Sequence, residues 1–455
     1  MPDLRRLGLA ALLIAGPAPA HTVPAQPPPL TIPRYDEDWS VLADPAIRTG
    51  AGTEPLKYIP LTVDAYLTTG VELRLRNETF RANLWGDGPA PDDGYLWARA
   101  MPYADLHVDL HGGAVRGFVQ PILGYALGVA PAAGPIDQTR ADLLQAFVDV
   151  TFAGVTLRGG RQMLSLGTER LIGTRYGPNV PLAFDGARVI VRRKALALTL
   201  LRVRPVQPGP ASFDDRASPS KQLWGGYAGI PGLDAYYLGY RNDRARFDSG
   251  GGDEHRASFG LRSFGTRGPW HWNVEGIVQR GRFAAQRIRA WSVGAEAGRR
   301  FPAARFRPDV TIRVNVVSGD RDRKDGTLGT FNALFPKGKY FGELSPVGPY
   351  NIVNANPGVS FDLGGGVSAG AMAQFYWRYA RGDGVYDVPG TLIRAAGTAR
   401  RRAIGQQVEA LAGWQATPEL TLSASLSAFA AGAFLRETGP ARTIVMLGLE
   451  ANYRF

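Results

Sequence analysis

The carboxy-terminal stretch, residues 442–455, limits the fold more than any other part of the chain. Val445, Leu447, Leu449, Ala451, Tyr453 and Phe455 share one parity and are all apolar. Met446, Gly448, Glu450, Asn452 and Arg454 share the other, which grows polar towards the end. Side chains alternate across a strand with period two, so this segment has one greasy face and one mixed face over about ten residues, the length that crosses a bilayer as a tilted strand. Phe455, a terminal aromatic residue on such a strand, is the expected handle for a barrel-assembly machinery. An edge strand of a soluble sandwich is the competing interpretation.

The other end of the chain agrees with export. Arg5 and Arg6 precede an apolar run from Leu7 to Ala15 and then Ala18, Pro19 and Ala20, the pattern of a cleavable export signal over residues 1–20. No later run reaches the roughly 18 apolar residues that a membrane helix needs. Residues 21–64 are rich in proline and acid, lack alternation and are expected to form a periplasmic arm. Residues 65–455 show no break in composition and are expected to form one large barrel rather than two or three soluble domains. The absence of cysteine excludes a disulfide scaffold, thiolate metal sites and cysteine nucleophiles.

Alternation begins near Tyr66. Val71, Leu73 and Leu75 oppose Glu72, Arg74 and Arg76; Leu96, Ala98, Ala100, Ala104, Leu106 and Val108 oppose Arg99, Asp105 and His107. The same pattern recurs through 144–152 and 420–428. Counting such segments predicts 16 to 18 antiparallel strands in an all-β transmembrane barrel, lipid-facing outside and polar within. Tight turns such as Ala153-Gly154 alternate with long loops near 81–94, 127–140, 167–183, 207–221, 319–350 and 381–403. Trp97, Tyr236, Tyr237, Trp270, Trp272, Trp291, Tyr376, Trp377, Tyr379, Trp414 and Tyr453 are expected in interfacial girdles.

A barrel of that size leaves a lumen. Of the 52 basic residues only six are lysines, and the formal net charge is +12. Arginine presents a planar fork to carboxylate or phosphate, whereas lysine is a hydrated point charge. Glu72, Arg74, Arg76, Arg99, Arg192, Arg313, Arg378 and Arg454 all fall on the mixed parity, and a lumen lined this way favours anions. Nucleic acid is a poor partner for an exported chain whose basic residues are spread over its strands. The loop around 159–188 is expected to fold inward as a constriction; the apolar loop 319–350 is read as a lid or plug, with packing against lipid as the alternative.

Motifs for other chemistry lack their context. Gly366-Val-Ser368-Ala-Gly370 has the letters of a nucleophile elbow but opens an alternating strand with no helix after it. Residues 320–331 depart from a calcium loop at Lys324 and Phe331. No cofactor and no metal is expected.

Several stretches resemble the alginate-export family of outer-membrane porins: residues 34–39 and 56–61, Gly160-Arg161-Gln162, Arg170-Leu171, residues 184–188, 318–321 and 328–331, Trp377-Arg378, Asp383-Gly384 and the terminal Tyr453-Arg454-Phe455. The resemblance implies an 18-stranded monomeric barrel in the outer membrane, with an arginine-rich constriction that passes a polyuronate. On that basis Arg74, Arg76, Arg161 and Arg188 are the carboxylate-facing candidates, and Glu72, Asp149 and Asp185 the counter-charges that hold them. The expected partners are an acidic saccharide, outer-membrane lipid and periplasmic export proteins. A general anion or nutrient uptake porin, an outer-membrane barrel enzyme and a structural or adhesion barrel are the alternatives.

Overall fold

The computed structural model describes residues 28–50 and 52–455; the expected export signal at 1–20 lies outside them. Eighteen antiparallel strands form a closed barrel. In chain order they are β1 (Ala65–Arg81), β2 (Asp93–Leu110), β3 (Gly113–Leu127), β4 (Arg140–Phe152), β5 (Val155–Met163), β6 (Ala183–Arg193), β7 (Leu196–Gln207), β8 (Lys221–Ile230) and β9 (Leu233–Phe247). They continue as β10 (Gly250–Arg267), β11 (Trp270–Phe283), β12 (Gln286–Arg300), β13 (Asp309–Val317), β14 (Ile352–Gly364), β15 (Val367–Arg378), β16 (Ala403–Gln415), β17 (Leu420–Ala431) and β18 (Ile444–Arg454). Each strand pairs with the next. The register from Glu72↔Arg454 to Arg81↔Val445 joins β1 to β18 and closes the wall.

Closure satisfies every strand edge internally, which is what a bilayer requires of a sheet. The period-two pattern then sorts the side chains. On β1, Thr68, Glu72, Arg74, Arg76 and Glu78 are buried, while Leu73 and Leu75 are about half exposed. The apolar face is therefore the lipid face and the mixed face lines the lumen. A register shift between Asn242 and Ala245 exchanges the parities, so that Ala245 and Phe247 point inward beyond it.

The connections divide by length. At one end they are tight; the Ala153-Gly154 turn has φ of 48° and 77°, two positive values that match the right-handed twist of the flanking strands. At the other end lie the long loops 82–92, 128–139, 164–182, 208–220, 318–351, 379–402 and 432–443. Short periplasmic turns and long extracellular loops are the ordinary arrangement in such barrels, which orients the molecule. Only the last loop, which carries a short helix α1 (Ala433–Thr438), was not foreseen from the sequence.

Two loops leave the surface and fill the extracellular part of the lumen. Loop 164–182 is zipped to loop 318–351 by Phe335 N–H to Leu171 O (2.8 Å), Gly173 N–H to Phe335 O (2.8 Å) and Lys337 N–H to Glu169 O (2.9 Å). Leu171, Ile172, Phe331, Phe335 and Phe341 are buried against inward residues of the wall, Val203, Leu238 and Phe283 among them. Wall polar groups pin the insert. Gln279 donates to Asn332 O (2.7 Å), Asn332 donates to both Glu254 oxygens, and Glu409 accepts from the backbone of Glu343 and Leu344. Glycine at 173 is a steric need, since a Cβ there would stand 2.9 Å from Lys337 N.

The arm enters from the periplasmic end. Tyr35 is buried edge-on to Phe118 and Phe147, residues of the inner face, and donates to Met163 O (2.7 Å). Arg34 pairs with Glu37 and donates to Phe455 O (2.9 Å), tying the arm to the end of the last strand. The aromatic expectations divide: Tyr237, Trp270, Trp272, Trp377 and Trp414 are exposed on the lipid face, but Trp97, Tyr236 and Tyr376 are buried on the other parity and serve the interior.

Candidate channel and its constriction

The interior of β1 carries Glu72, Arg74, Arg76 and Glu78 in one line, spaced two residues apart so that all four point inward. Arg99 on β2 stands directly opposite Arg74 in the register. Two guanidinium groups in such proximity repel unless something separates them. The insert supplies it. Arg74 donates to the carbonyls of Tyr176, Gly177 and Pro178 (3.0, 3.1 and 2.7 Å), and Arg99 to those of Pro178 and Asn179 (3.1 and 3.3 Å) and to Glu72 (2.6 Å). Tyr176 lies against both, 5.7 Å from Arg74 and 4.5 Å from Arg99. Both arginines are buried and fasten loop 164–182 to the wall.

Arg76 is held by carboxylates instead: Glu78 at 2.7 Å, Glu343 at 2.5 Å and Glu450 at 2.8 Å. Lys339 bridges Glu78 (2.9 Å) and Glu343 (2.7 Å). Burial alone would raise the Glu343 carboxyl, but Lys339 and Arg76 outweigh it and hold it below the usual range. Four cations, Arg74, Arg76, Arg99 and Lys339, therefore meet four carboxylates, Glu72, Glu78, Glu343 and Glu450. The cluster is charge-balanced.

Beside it the wall of β14 to β18 turns small residues inward. Ser360, Ser368, Gly370, Ser425 and Gly448 leave an open volume of about 320 Å³ bounded by Arg76, Glu343 and Glu450. Ser368, the serine of the elbow-like motif, is here a wall residue inside a strand that continues to Arg378.

The other residues singled out from the sequence are dispersed. Asp149 forms a bidentate pair with Arg158 (both 2.6 Å), whose guanidinium stacks 3.7 Å from Phe147 and 4.3 Å from Tyr35. Arg188 is buried, donates to Gln162 (2.6 Å) and has no carboxylate within ion-pair distance among the described residues. Arg313 faces the lumen and pairs with Glu296. Arg378 is wholly buried and donates to the carbonyls of Arg381, Asp383, Ala399 and Arg401, so it organises loop 379–402 and lines no passage.

Arg161 and Asp185 require a correction. They pair with each other (2.8 Å), but on the parity opposite to Arg158 and Arg188, in the row that continues to Ala146 and Arg204. Arg161 is covered by loop 208–220 through Asp215 O (3.1 Å) and does not face the lumen. Motif position carried them into the site; a three-residue step, from Arg158 to Arg161 on β5 and from Arg188 to Asp185 on β6, takes them out.

Uncompensated positive charge is found elsewhere. Arg175, in the inserted loop, makes one hydrogen bond to Pro336 O (3.3 Å); it shares a cavity of about 450 Å³ with Lys221, the apolar Ile122, Leu144, Val206 and Phe335, and one carboxylate, Asp215. Neither cation has a carboxylate within ion-pair distance among the described residues, and the same holds for Arg192 on β6 and Lys337 in the insert. Glu78 was within reach of sequence reasoning by extending the β1 alternation two more residues. Lys339, Glu343, Arg175 and Tyr176 were not, because loops have no parity.

A family model described as Alginate export matches residues 65–445. No curated protein matches the sequence. Among solved structures the chain is similar to Pseudomonas aeruginosa OccK11 (OpdR), with 14% identity over 86% of this chain and 96% of that one and a TM-score of 0.58. It is also similar to P. aeruginosa OpdO, with 16% identity over 85% and 97% and a TM-score of 0.58. A third is P. aeruginosa OccK2 (OpdF) in complex with glucuronate, with 12% identity over 86% and 98% and a TM-score of 0.56.

Proposed function

Because the chain belongs to the Alginate export family, we propose that this outer-membrane porin passes acidic saccharides of the uronate type, steered by lumen cations that have no carboxylate within ion-pair distance among the described residues. The observation that carries the reading is the set Arg175, Arg192, Lys221 and Lys337, which keeps its positive charge where the Arg74–Arg76–Arg99 cluster has spent its own on glutamates and carbonyls. Carboxylates drawn by such a field pass between several weak sites, since one tight site would halt conduction. The glucuronate bound to OccK2 is a monomer of the same chemistry on the same fold. No covalent step is part of this function.

A general nutrient porin is the second reading, favoured by the charge balance at the 320 Å³ opening, where neither sign is preferred. Planar-bilayer recording separates the two. A permeability ratio favouring anions, with current block by oligouronates and none by neutral oligosaccharides of equal length, supports the acidic-saccharide channel. Equal block by both sugars would leave the general porin, and cation preference would remove the proposal.

A further inference from the structure

The lipid-facing surface holds a second concentration of charge, unrelated to the lumen. Leu200, Gly226, Tyr237, Phe259, Val278 and Trp291 are cross-strand neighbours and form an apolar, aromatic row around the outside of β7 to β12. Two residues nearer the extracellular ends, on the same face, the row reads Arg202, Trp224, Gly239, Ala257, Arg280, Arg289. Two residues further stand Arg241, His255, Arg282 and Arg287, with Arg204 on β7. Each two-residue step is about 7 Å along the strand, so the change from aromatic to basic falls at the depth where hydrocarbon gives way to headgroups.

All seven arginines are exposed. Arg241 pairs with Asp243 (2.6 Å), while the other six form no ion pair among the described residues. On the β11–β12 hairpin Arg280 is directly opposite Arg289, and Arg282 directly opposite Arg287. Like charges placed so destabilise a sheet, and folding gains nothing from them. An anion lying between the strands reverses the sign of that interaction. The patch is also denser than the rest of the rim: the outward residues Asn77, Leu96, Tyr125 and Leu127 near the extracellular ends of β1 to β3 are uncharged, and Arg81 at the end of β1 stands there singly. Hydration of the rim would not place arginines directly opposite one another.

We infer that the outer face of β7 to β12 binds the phosphate groups of a phosphorylated glycolipid in the outer leaflet, with Arg280, Arg282, Arg287 and Arg289 as the central anion site. Paired guanidinium forks suit phosphate oxygens, and the aromatic row beneath them meets the acyl chains. The position of the patch on the bilayer side of the wall favours a lipid-borne phosphate over one free in solution.

The test is native mass spectrometry of the full chain in detergent with bisphosphorylated lipid A, dephosphorylated lipid A and inorganic phosphate. Wild type is expected to retain the bisphosphorylated lipid, with inorganic phosphate failing to displace it. The variant R280Q/R282Q/R287Q/R289Q is expected to bind it at least about tenfold more weakly, with a melting temperature in lipid-free detergent equal to or above that of wild type. The variant R400Q/R401Q, altered in loop 379–402, is expected to bind as wild type does. Equal retention of dephosphorylated lipid, equal binding by the quadruple variant, or an equal loss in R400Q/R401Q would overturn the inference. Displacement by inorganic phosphate would assign the patch to a free anion and overturn the lipid assignment.

Discussion

The cations around β1 and those around Arg175 differ in what holds them, and the difference separates scaffold from solute site. Around β1, Arg74 and Arg99 are buried under the carbonyls of Tyr176 to Asn179, and Arg76 and Lys339 share Glu78 and Glu343, with Glu450 also on Arg76. Around Arg175 and Lys221 the walls are largely apolar, with Gln207 and Asp215 the polar exceptions, and neither cation forms an ion pair among the described residues. A guanidinium whose two terminal nitrogens are held by carbonyls or carboxylates is a fastener. One with free donors beside a cavity is available to a carboxylate. Arginine content alone therefore does not locate the selective part of the lumen.

The largest effect should come from breaking the fastened side. Arg99→Met leaves Glu72 buried without its partner, at a cost of about 3–5 kcal/mol, read as a drop in the unfolding midpoint in detergent. Arg99→Met with Glu72→Met should recover most of that loss. If the double variant is no more stable than the single, the pair is not the cause.

Next in size is the balance itself. Arg76→Gln leaves three cations facing four carboxylates, with Glu343 and Glu450 at the edge of the opening. The anion-to-cation permeability ratio should fall about tenfold, equivalent to roughly 1.4 kcal/mol, as read from reversal potentials in a salt gradient. An unchanged ratio would show that ions pass elsewhere.

A smaller change tests the unpaired side directly. Arg175→Gln with Lys221→Met should lower the same ratio about threefold, roughly 0.7 kcal/mol, and should weaken block by oligouronates while the unfolding midpoint moves little. Loss of stability without loss of block would place these two cations among the fasteners.

The smallest effect concerns the opposite imbalance, a buried carboxylate on which neighbouring carboxylates outweigh the nearby Arg323. Asp320, at the root of the long insert, is pushed up to about 6 by burial and by neighbouring Asp383. A carboxyl raised in the fold binds more protons folded than unfolded between about pH 4 and 6, so the stability it contributes is greatest below that window and falls as pH rises through it. Hydrogen exchange at the Asp320 and Arg321 amides, corrected for intrinsic rates, should be slower at pH 5 than at pH 7.5. Equal corrected rates would remove Asp320 as the cause.

Residues 65–455 disclosed the wall because alternation is a local rule: Leu73 against Arg74, or Leu449 against Glu450, assigns a face to every strand residue without reference to any other strand. The loops at 127–140, 207–221 and 381–403 were legible for the same reason, as places where alternation stops. Arg161 shows where a motif misled and parity would have corrected it, being three residues from Arg158 on one unbroken strand.

Tertiary structure alone decided how the lumen is charged. Lys339 and Glu343 meet Glu78 and Arg76 across more than 250 residues of chain. The Tyr176 carbonyl meets Arg74 only because Phe335 zips one loop to another and carries both inward. Alternation fixes the direction of each wall side chain through backbone geometry. Which charges are neutralised depends on loop packing, and that is set by long-range contacts between segments that have no period of their own.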